Sequence, residues 1–177
     1  IRYRMPPCRP HPAKRDTCFR YSAEAFLRSI RLDPGVPATH FHFAQTLLYM
    51  SYLSLPVLLP PFEEYERAAR LAGHNSQIHY EVGRMMAGLW PTLSAGQKDF
   101  AADILKKTLA SGNEERLLGI LETWLLQSRD QALIDRILPD DSGSLRTYAR
   151  FLGERALAPE ARLSALARAE RLALVRA

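Results

Sequence analysis

Along most of the chain, apolar residues recur three and four positions apart with polar residues between them. Leu117, Leu118, Leu121, Trp124 and Leu125 fall on one helical face, as do Leu145, Tyr148, Ala149 and Leu152. That spacing follows the 3.6-residue turn and predicts stripes that face a core. Strong breakers separate the periodic segments: Asp33-Pro34-Gly35, Pro60-Pro61, Gly73-His74-Asn75, Trp90-Pro91, Ser111-Gly112-Asn113, Pro139-Asp140-Asp141 and Pro159. Proline ends a helix by losing its N–H and clashing with the turn before it. Glycine supplies the left-handed C-cap, and Asn, Asp or Ser caps the next start. Ser94, with Gln97 three positions on, has the capping-box pattern. No hairpin signal lies between the segments, so the pattern predicts an all-α chain.

Composition agrees. The 177 residues include 27 Leu and 23 Ala against only 4 Val and 7 Ile, a bias towards helix formers and away from residues that suit a pleated surface. The length suffices for a real core and favours one domain. Residues 1–20 read as a basic, Pro- and Arg-rich leader without regular structure, and residues 21–177 as the helical domain.

Whole units also recur. The stretch from Leu32 to Ala44 aligns with that from Leu71 to Gly83 at a constant offset of 39, pairing His40 with His79 and Ala44 with Gly83, and Gly112 follows Gly73 by the same interval. Phe26, Ser29 and Pro34 fit the close of a preceding unit. His40, Phe43, Ala44 and Leu47, then His79, Val82, Gly83 and Met86, fit first-helix positions for large and small residues in alternation. In these residues the chain resembles the tetratricopeptide repeat (TPR) family of helix-turn-helix units. The motif-level likeness covers about residues 22–86; the likeness in architecture covers about 21–175. The small residues Ala44, Gly83 and Ala68 are expected where paired helices cross closely.

The resemblance implies a right-handed superhelix of antiparallel helix pairs, about eight to nine helices, whose concave groove holds a peptide or a partner helix. Carried over residue by residue, the groove positions are Phe41, Gln45, Leu48 and Tyr49 in one unit and Gln77, Tyr80 and Arg84 in the next. The aromatic rings would anchor, the glutamines would pair with peptide backbone, and Arg84 would receive a carboxylate. Leu48 is expected to pack against a neighbouring helix instead. The chain also loosely resembles repeat regions of bacterial envelope and polysaccharide-assembly proteins, which implies an alternative role as an assembly or regulatory module.

Candidate chemistry is sparse. The sequence has no P-loop, dinucleotide glycine fingerprint, HExxH or GxSxG pattern, so neither an enzyme nor a cofactor is expected. His40 and His42 stand two apart and point to different helix faces, and His40 and His79 are expected to fill equivalent part-buried packing positions. Glu63, Glu64 and Glu66 suit the first turn of a helix, where carboxylates complement the macrodipole. Cys8, His11 and Cys18 number three, with looser spacing than the usual four-ligand zinc site.

Charge and the Pro34–Phe62 stretch bear on the partner. The net charge of +5 is concentrated in residues 1–31, which hold eight Lys/Arg and two acids. The rest is near neutral, so a protein or peptide partner is expected rather than nucleic acid. From Pro34 to Phe62 there is no Asp, Glu, Lys or Arg. Three prolines near its end, with His40, His42 and Gln45, argue against a transmembrane helix and for a buried helix followed by an apolar connector. Leu55, Val57, Leu58, Leu59 and Phe62 form a candidate secondary docking patch, for a protein or a membrane surface, unless the connector tucks over the helices. Ile1 is not an initiator methionine, which leaves room for a processed or truncated form. The compartment stays open between bacterial cytoplasm and cell envelope.

Overall fold

The computed structural model describes residues 12–175, with side chains from Asp16 onward. Among these residues there are nine α-helices and no strand: α1 Pro12–Leu32, α2 Pro37–Tyr52, α3 Pro61–Leu71, α4 Ser76–Gly88, α5 Ala95–Leu109, α6 Glu114–Thr123, α7 Gln131–Ile137, α8 Ser142–Glu154 and α9 Pro159–Val175. No helix among them is long and apolar enough to cross a membrane. The starts follow the capping logic. Pro37 and Pro61 occupy first-turn positions. The Asn75 side chain accepts from the Gln77 and Ile78 N–H groups, Asn113 from Arg116, and Asp141 from Ser144. Ser94 and Gln97 close their capping box in both directions. Gly73 and Gly112 take positive φ, as expected of glycine closing a helix.

Two expectations change. Residues 12–20, read as irregular leader, are the opening turns of α1. The face that runs through Trp124 and Leu125 does not continue as one regular helix. Residues 124–128 form a π-turn, Arg129 takes a left-handed φ of 49°, and Asp130 caps the separate α7 through the Ala132 N–H. An Arg and an Asp absorb a break that carries neither glycine nor proline, so the sequence hides it.

The chain divides into two compact units, Ile1–Ile78 and His79–Ala177. In the first, α1 and α2 run antiparallel: Phe19 of α1 stacks on Tyr49 near the end of α2, and Phe26 meets Phe43 near its start with the rings tilted by 41°. Their core is Ala23, Phe43, Leu47 and Met50, closed by flanking aromatic and aliphatic side chains and by Leu55 of the connector. Burying each large side chain stabilises by about 1.5–3 kcal/mol. Packing of α2 against α3 is start to start, with Phe41 5.8 Å from Tyr65 between ring centroids and His40 hydrogen-bonded to Glu64.

In the second unit the helices alternate between two layers. Tyr80 of α4 lies against Gly119 of α6. Glu114 and Glu122 of α6 pair with Arg150 and Arg155, within and just after α8, so α6 and α8 run in the same direction. Asp99 of α5 pairs with Arg136 of α7 at 2.5 Å. α8 and α9 run antiparallel, since Arg162 crowds Gly153 at one end and Arg168 pairs with Asp140 at the other. Gly83 is a close-approach site: a Cβ there would lie 2.6 Å from Leu105 Cδ2. Ala44 and Ala68 are fully buried in the first unit, as their small size requires.

Candidate functional site

The residues expected to line one groove divide between the two units. Phe41, Gln45, Tyr49 and Gln77 belong to the first, and Tyr80 and Arg84 to the second. Phe41 is 6% exposed and packs against Tyr65 and His42, so it serves the core and offers no anchor to a ligand. This is a correction to its expected role. Its face of α2 is the one that meets α3. Leu48 is buried, as expected. Gln45 is half-buried beside His42, with 3.2 Å between Oε1 and Nδ1. Gln77 is exposed at the start of α4.

Tyr49 keeps an accessible position, 58% exposed, and Tyr52 one turn on is 65% exposed. They border the connector. The carbonyl oxygens of Ser51 and Met50 accept from the Ser54 and Leu55 N–H groups, and Ser54 sits at φ 55°. This left-handed cap turns the chain sharply out of α2. Leu55 then folds onto the core and Phe62 is half-buried. Val57, Leu58 and Leu59 remain exposed at 37%, 54% and 38%. The patch is therefore split: its two ends are tucked in and its middle presents apolar side chains to solvent. Pro56, Pro60 and Pro61 carry no N–H, so the segment exposes few backbone donors.

The first unit also buries a polar group that the sequence did not single out. Tyr65 of α3 is fully buried, and its hydroxyl has no hydrogen-bond partner among the described residues. Burial first, then the neighbouring phenols of Tyr49 and Tyr52, pushes its ionisation well above the ordinary tyrosine range. The three tyrosines thus lie within electrostatic reach of one another. The sequence signal was available only as an aromatic at each of the three positions.

The first unit also contains a buried His–carboxylate hydrogen bond. His40 Nδ1 lies 2.6 Å from Glu64 Oε2, His40 Nε2 donates to the Pro34 carbonyl at 3.0 Å, and Arg67 donates to the other Glu64 oxygen at 2.8 Å. Every nitrogen of the ring is engaged by its own chain, which makes this a clamp rather than a reaction centre. His40 is buried rather than part-buried, whereas His79 is half-buried. Of the candidate ligand set Cys8, His11 and Cys18, only Cys18 lies within the described side chains, as a free thiol on α1; Cys8 and His11 fall outside them.

In the second unit, Tyr80 borders an open cleft of about 540 Å³ with Glu114, Glu115, Leu118, Gly119 and Glu122. Burial raises the Tyr80 ionisation, partly offset by Arg84, and the Arg116 guanidinium lies 5.6 Å from its ring centroid. Arg84 donates to Glu81 at 3.2 Å. Comparison of the chain with protein-family models, curated proteins and solved structures found no match.

Proposed function

We propose that the chain is a non-catalytic, TPR-like helical repeat protein that binds another polypeptide, and that it docks through the first unit by the end of α2 and the connector. The observation that carries this reading is the exposure of Tyr49, Tyr52 and Val57–Leu59 together, on a segment whose ends are fixed by the Ser54 cap and by Leu55. Exposed apolar side chains on a held frame form a surface that can be desolvated with little loss of conformational freedom. Tyrosines beside it supply large contact area with only two side-chain torsions each. The two-layer alternation within the second unit supports the repeat reading. An assembly module of an envelope complex would attach by the same connector.

A second reading, peptide capture along α4, is favoured by the cleft beside Tyr80. Two variants separate the routes once circular dichroism shows that both fold. Binding of a crosslinked partner lost with Leu58→Asp/Leu59→Asp and kept with Tyr80→Ala supports docking through the connector. The reverse result supports capture by α4, and retention in both rejects both routes.

A further inference from the structure

We draw no further inference here: the strongest candidate, the exposed apolar face of the terminal helix α9 at Leu163, Leu174 and Val175, is an unpartnered helix face, and nothing in the structure shows what covers it.

Discussion

His40 Nδ1 lies 2.6 Å from Glu64 Oε2, with the two side chains 1% and 2% exposed. Both ring nitrogens are engaged, Nδ1 with the carboxylate and Nε2 with the Pro34 carbonyl. The pair fixes the start of α2 against the start of α3 and so determines the course of the connector. Removing one partner leaves the other buried group without its hydrogen bond, whereas removing both does not. Glu64→Ala should destabilise by about 1–3 kcal/mol. The double variant His40→Leu/Glu64→Leu should be destabilised less than the sum of the single changes, a non-additivity that a double-mutant cycle in urea measures.

Gly83 and Gly96 should respond oppositely to alanine. A Cβ on Gly83 meets the buried Leu105 side chain, whereas nothing lies within 4 Å of one on Gly96. Gly83→Ala should cost about 1–3 kcal/mol through overpacking between α4 and α5. Gly96→Ala should be neutral or stabilise by up to about 1 kcal/mol through helix propensity. Thermal unfolding of the two variants checks the difference in sign.

Besides Arg129, two non-glycine residues close helices in left-handed conformation. Ser54 at φ 55° ends α2 and Ala156 at φ 50° follows α8, with the Leu157 N–H donating back to the Leu152 carbonyl. Glycine adopts this backbone without the Cβ penalty. Ser54→Gly and Ala156→Gly should each stabilise by about 0.5–1 kcal/mol, seen as a raised urea midpoint with unchanged slope.

Stability should fall in strong alkali. Burial holds the Tyr65 hydroxyl protonated in the fold, above the ordinary value of 10.0. The folded state therefore retains its proton where the unfolded chain loses it. This stabilising contribution is complete below pH 10 and declines as pH rises beyond it. Tyr148 and Tyr80 act in the same direction, again chiefly through burial. Tyr65→Phe should flatten the decline, measured by urea unfolding across alkaline pH, and should remove a late-ionising phenol from the ultraviolet titration.

Helical character and several starts were legible because their causes are local. Ser94 with Gln97, Asn113, Asp141 and Pro159 each act within one turn. The end of α6 was not, since Arg129 and Asp130 break it without glycine or proline. Tertiary placement was hidden for a different reason. The contact of His40 with Glu64 spans 24 positions and depends on the path of the connector, which no periodicity encodes. The same path buries Phe41 and leaves Tyr49 outside, so a carry-over of groove positions assigned both residues alike.

Short-range assembly in the second unit has a consequence for its folding. Its principal helix contacts join neighbours one or two places along the chain: α5 with α7, α6 with α8, α8 with α9. Such a stack has no long loop to close before its first contacts form, so formation is fast and can begin at any adjacent pair. Amide hydrogen exchange should accordingly be graded, quickest in α9 at the outer end and slowest among α5, α6 and α8, rather than uniform across the unit.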